Sequence, residues 1–128
     1  MEQARLADRR IVVVGAGTQP SDEPDPPMGN GRAIAVRVAA EGAAVVCVDR
    51  DRAAAQDTAA LIGDAATVVV ADVAVEDDCA RLVADAGSPI DGLVLNVGIG
   101  RGVGLIGTTA HDWDTTFAVN LRSHFLIS

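Results

Sequence analysis

Short runs of branched apolar residues alternate along this chain with longer segments whose apolar positions recur every three or four residues. Ile11-Val12-Val13-Val14 is a β-branched run stopped by Gly15 and predicts a first strand. Arg32 to Glu41 is alanine-rich, sets Ile34 and Val38 on one face and meets Gly42, so it predicts a helix closed by a C′ glycine. Ala44 to Val48 predicts a second strand, Asp51 to Leu61 a helix closed by Gly63, and Thr67 to Ala71 a third strand. Val75, Cys79, Leu82, Val83 and Ala86 share the face of a further helix, with Gly87-Ser88-Pro89 as its stop. Leu93-Val94-Leu95 predicts a fourth strand. Thr109 and Asp112 have the spacing of a capping box, and the helical pattern they open runs to the chain end with a bend expected near Asn120.

The strand runs are continuously apolar instead of alternating, as expected when helices cover both faces of a sheet. Strands separated by helices through short connections predict right-handed βαβ units and a parallel sheet. With 128 residues there is material for one domain and one core. No internal repeat interrupts the pattern. The one break is Thr18 to Met28, rich in proline and acid and without periodicity. It predicts a long loop, stiffened by Pro20, Pro24, Pro26 and Pro27 and expected to arch outward over the surface.

Composition narrows the chemistry. Trp113, Phe117 and Phe125 are the only aromatic residues, so the core must be built from Val, Ala, Ile and Leu. A net charge of −8 repels phosphate backbones and anionic lipid, which argues against nucleic acid and membrane as partners. Cys47 and Cys79 have no metal-ligand spacing and lie in apolar surroundings, so they read as small buried hydrophobes. Their number, and the lack of an export signal, predict a cytoplasmic protein; Ile11 to Ala16 is too short for a membrane span.

Two clusters carry candidate chemistry. The first strand ends in Gly15-Ala16-Gly17, and the next helix opens with Gly29-Asn30-Gly31-Arg32. A dinucleotide site needs glycine here: the chain must turn sharply, and its backbone and helix N–H groups must approach a pyrophosphate. An ordinary turn would use glycine too. Asp49 follows strand two, where a carboxylate accepts hydrogen bonds from the adenosine ribose and repels a 2′-phosphate, favouring NAD over NADP. Arg50 beside it pulls weakly the other way. A solvated loop aspartate is the plainer alternative for Asp49 alone.

Together these residues resemble the short-chain dehydrogenase/reductase family. The family motif TGxxxGxG corresponds to Val14-Gly15 and, after the long loop, Gly29-Asn30-Gly31, with Gly17 between. Its acidic residue after strand two matches Asp49, its adenine-contacting pair matches Asp72-Val73, and its NNAG motif appears as Leu95-Asn96-Val97-Gly98. Asn120 stands in the place of the catalytic-tetrad asparagine. The resemblance implies a Rossmann-type α/β fold with strand order 3-2-1-4, here one incomplete NAD(P)-binding domain with an insertion at 18–28. It implies hydride transfer between a small alcohol or carbonyl substrate and NAD, with a homo-oligomer compatible.

Departures temper that reading. Val14 replaces the motif threonine and Leu95 the first asparagine, each a loss of about 1 kcal/mol. The insertion brings Asp22, Glu23 and Asp25 near the expected pyrophosphate position; a tolerated surface loop is favoured over a lid or partner contact. The family's serine, tyrosine and lysine lie beyond strand four, whereas this chain stops at Ser128 and has no Tyr and no Lys. His111 and His124 are the only side chains that ordinarily titrate near neutrality, and both read as plain helix residues. The expectation is a truncated family member, inactive alone, with an open sheet edge at strand four. A non-catalytic dinucleotide-binding or interaction module, and an inactive gene product, are the alternatives.

Overall fold

The computed structural model describes residues 4–128. Strands β1 (Arg10–Val14), β2 (Ala44–Asp49), β3 (Ala66–Val70) and β4 (Gly92–Leu95) form one parallel sheet in the order β3-β2-β1-β4. Val12 pairs with Val46 on one side and Leu93 on the other. Between the strands run helices α1 (Asn30–Ala40), α2 (Arg52–Ile62) and α3 (Glu76–Asp85). This is the helix-flanked parallel sheet that the sequence pattern predicts, in the strand order that the family resemblance implies.

Alternate residues of each strand feed two separate cores. Val12, Val14, Val46 and Val48 face α3 through Cys79 and Leu82. Ile11, Val13, Val45 and Cys47 face α1 through Ala35, with Ile34, Val38 and Ile62 packed behind. Small side chains on α1 let helix and sheet approach closely, which a core without aromatics requires. The two cysteines are buried on opposite sides of the sheet and are free. Burial pushes the Cys47 thiol up to about 11 and raises that of Cys79, so both are inert hydrophobes in this fold.

Helix ends follow sequence punctuation. Gly42, at C′ of α1, and Gly63, the C-cap of α2, adopt positive φ of +99° and +90°, which glycine takes without strain. Asp51 caps α2 by accepting from the Ala54 N–H, and Thr109 and Asp112 form a reciprocal capping box at the start of α4 (Ala110–Phe117). Beyond α4 come a π-helical turn (Ala118–Arg122) and α5 (Ser123–Ile127). The π turn includes Asn120, where the sequence predicts a bend.

Four carboxylates fasten the scaffold and are held below their usual pKa range. Glu41, at the end of α1, takes a bidentate bond from Arg5 (2.6 and 2.9 Å), which lowers its pKa from 4.5 to about 2. Asp91 accepts from the backbone N–H of Arg10, Asp78 from that of Asp72, and Asp112 from the Thr109 hydroxyl; each is lowered, chiefly by that bond. A carboxyl depressed on folding contributes stability above its unfolded pKa and loses it as pH falls through the folded value. Thermal unfolding is therefore expected to be flat near neutrality and to move to lower temperature between about pH 5 and pH 2. A Glu41→Gln variant should show a weaker acid dependence; an unchanged profile would remove Glu41 from this account.

Among the described residues, no helix is long and apolar enough to cross a membrane.

Candidate functional site

The C-terminal ends of β1, β2 and β4 open onto a cleft of about 1020 Å³, at the point where the strand order reverses. Its floor is the glycine turn. Gly15 has φ +84°, and a Cβ there would meet the Asn96 carbonyl oxygen at 2.4 Å. Gly31 sits in the first turn of α1, where a Cβ would stand 1.7 Å from the Gly15 carbonyl oxygen. Only glycine lets helix and turn touch like this, and α1 accordingly starts at Asn30, two residues before its alanine-rich pattern begins. Gly29 is the N-cap and offers no side chain to the first-turn N–H groups. No acidic residue occupies that turn. In contrast to α2 and α4, α1 thus presents bare N–H groups, beside the cleft-lining Asn30, to whatever anion enters.

Asp49 ends β2 on the same cleft. Its Oδ2 accepts from the Gly17 N–H at 2.9 Å and its Oδ1 from the Asp51 N–H at 2.9 Å. Each oxygen keeps a lone pair free. The carboxylate therefore ties the glycine turn to the start of α2 and still offers acceptors to the cleft. Arg50 lines the cleft next to it and is the only cation among the described lining residues. Asp72 and Val73 line the wall after β3, where the Asp72 carboxylate accepts from the Ala74 N–H. Asn96, Val97 and Gly98 line it after β4.

Every glycine, acid and asparagine expected to contact a dinucleotide thus borders one space. Asn120 does not reach it. Its amide donates to the Ile99 carbonyl and accepts from the Ile99 N–H, both at 2.8 Å, clamping the loop after β4 onto the π turn. Neither His111, exposed on α4, nor half-buried His124 lines the cleft.

The insertion corrects one expectation. It does not arch away from the site: Gln19, Pro20, Ser21, Glu23, Pro26 and Pro27 line the cleft. The reason lies at its neck, where the Gly29 N–H donates to Thr18 Oγ1 at 3.0 Å and both ends leave from the rim itself. Of its three acids only Glu23 is on the wall. The two motif departures are accommodated apolarly: Val14 is fully buried in the core, and Leu95 packs against that core.

Sequence reasoning missed one network. Thr58, fully buried on α2, donates from its hydroxyl to the Ala16 carbonyl at 2.8 Å. The same hydroxyl accepts from Arg32 Nε at 2.9 Å, while Arg32 Nη2 donates to the Ala54 carbonyl. The glycine turn is so braced by both helices. A threonine interrupting the apolar face of α2 was the only available signal. Thr58→Val is expected to lower stability by about 1–3 kcal/mol by orphaning the Ala16 carbonyl and part of Arg32. Denaturant unfolding checks this, and a change below 0.5 kcal/mol would dismiss the brace.

The short chain dehydrogenase family profile matches residues 27–128. The chain belongs to the short-chain dehydrogenase family. A mouse (3R)-3-hydroxyacyl-CoA dehydrogenase is 36% identical over 140 aligned positions, covering 98% of this chain and 50% of that protein. A short-chain dehydrogenase/reductase structure from Burkholderia xenovorans superposes with a TM-score of 0.84 at 38% identity, over 96% of this chain and 49% of that one. The 3-ketoacyl-(acyl-carrier-protein) reductase from Brucella melitensis, complexed with NADH, gives 0.83 at 36% identity over 95% and 48%. This short-chain dehydrogenase chain spans about half the length of these relatives.

Proposed function

We propose that the chain is the cofactor-binding half of an NAD-dependent short-chain oxidoreductase interconverting an alcohol and a carbonyl compound. The observation that carries the reading is the Asp49 carboxylate sharing one cleft with the uncapped N-terminus of α1 across the glycine turn. The bare N–H groups and the helix dipole suit a diphosphate. Asp49 suits a ribose diol and disfavours a 2′-phosphate, so NAD is preferred over NADP. Asp72 and Val73 are assigned to the adenine, and Asn96, Val97 and Gly98 to the far end of the dinucleotide. Asn120 is assigned a positioning role there, because its amide is committed to Ile99.

A bound nicotinamide dinucleotide supplies the hydride chemistry. Reduction of a carbonyl also needs a proton donor near its oxygen. This chain has no Tyr or Lys to serve, and neither histidine borders the cleft. On its own it is therefore proposed to bind cofactor without turnover. The buried, unpaired cysteines suit the reducing cytoplasm, to which we assign it.

A second reading, a non-catalytic module that assembles with another chain, has one observation in its favour. Trp113, Phe117, Leu121 and Phe125 follow at four-residue steps and are 46–80% exposed.

Calorimetric titration of the natural protein with NADH and NADPH tests the leading reading. Binding of NADH at least about tenfold tighter than NADPH, a difference of 1.4 kcal/mol, is expected. No heat with either dinucleotide would refute it.

A further inference from the structure

We infer that the inserted segment 19–28 is a working wall of the dinucleotide cleft, a strap that retains bound cofactor and slows its release. This rests on the dinucleotide reading above and adds to it an element outside the family's glycine motif. Without the segment, Thr18 would run directly into Gly29, and Val14 to Gly31 would have the spacing of TGxxxGxG. The turn itself therefore needs none of these ten residues.

Two observations bind the strap to the cleft. Its neck is shut by the Gly29 N–H to Thr18 Oγ1 bond, and a Cβ on Gly29 would stand 3.3 Å from the Thr18 Cα. Six of the ten residues, Gln19, Pro20, Ser21, Glu23, Pro26 and Pro27, line the cleft. All ten are exposed, so the segment is held by its neck and its own stiffness and not by burial in the core. Four prolines fix φ near −65°, and the Ser21 hydroxyl accepts from the Glu23 N–H at 3.2 Å. A chain so restricted loses less entropy when it orders against a ligand.

Charge works the other way. Asp22, Glu23 and Asp25 repel a diphosphate, and a merely tolerated acidic loop would weaken binding. Only Glu23 of the three lines the wall, and repulsion from the outer pair is screened over about 10 Å at 0.1 M salt. Contact and retention are therefore expected to outweigh repulsion.

The test follows NADH release by stopped-flow fluorescence from the natural protein, from a variant lacking residues 19–28, and from one carrying ten Gly and Ser residues in their place. Release at least tenfold faster from both variants is expected, with association changed far less. Should the deletion fail to fold, the Gly/Ser replacement keeps the neck and decides alone. Unchanged release, or slower release and tighter binding without the segment, would overturn the strap and leave the dinucleotide reading standing. A natural protein that binds neither NADH nor NADPH would overturn both.

Discussion

Gly31→Ala is expected to abolish measurable NADH binding and to lower folding stability by about 3 kcal/mol. The added methyl would lie 1.7 Å from the Gly15 carbonyl oxygen and 3.0 Å from the Asn96 amide nitrogen. The Asn96 amide can shift as the end of a side chain, but the closer obstacle is backbone and cannot swing away. The carbonyl belongs to a glycine already at φ +84°, and that glycine abuts the Asn96 carbonyl in turn. Relief must therefore come from shifting α1 as a body. Such a shift moves the helix N–H groups off the cleft and strains the Thr58–Ala16 brace, so affinity falls along with stability. A loss of at least about 100-fold in affinity corresponds to 2.8 kcal/mol. Gly100→Ala is the control: nothing lies within 4 Å of a Cβ there, and melting temperature and binding should both stay put. Wild-type affinity in Gly31→Ala would mean that the turn relaxes at no cost and that the close approach is dispensable.

What the sequence made legible was whatever repeats or punctuates. Short apolar runs located all four strands to within a residue, most sharply β1 and β2, whose burial on both faces leaves almost no polar position to blur them. Thr109 and Asp112 announced α4, since a cap is a local bond between near neighbours. The glycine spacing and Asp49 pick out the cleft, as each is demanded by backbone geometry at a fixed point of the fold. Long-range partners were invisible. Nothing local says that the Thr58 hydroxyl faces Ala16, 42 residues away, or that Asn120 clamps Ile99. The direction of segment 19–28 was misjudged for a similar reason. Proline fixes stiffness but not heading, and the bond that closes the segment's neck joins Thr18 to Gly29 across ten intervening residues.

The second large effect is expected at Asp49. In Asp49→Asn one oxygen is replaced by an N–H₂ group that must face either the Gly17 or the Asp51 N–H, where an acceptor now stands. Donor meets donor, and the charge that would strengthen a bond to a ribose hydroxyl is gone. A hydrogen bond to a charged group contributes about 1.5–3 kcal/mol, so NADH affinity should fall roughly 10- to 150-fold. NADPH obeys a different balance. It suffers the same damage to the glycine turn but is freed from the repulsion between a carboxylate and its 2′-phosphate, with Arg50 already beside the site to attract that group. Its affinity should fall less than that of NADH, or rise. The decisive quantity is therefore the NADH-to-NADPH affinity ratio, which cancels any general harm to the fold and is expected to shrink at least tenfold. The shift should be larger at low salt, where charge repulsion is least screened. A ratio unmoved by the substitution would take Asp49 off the ribose, leaving the carboxylate as no more than a brace between the glycine turn and α2.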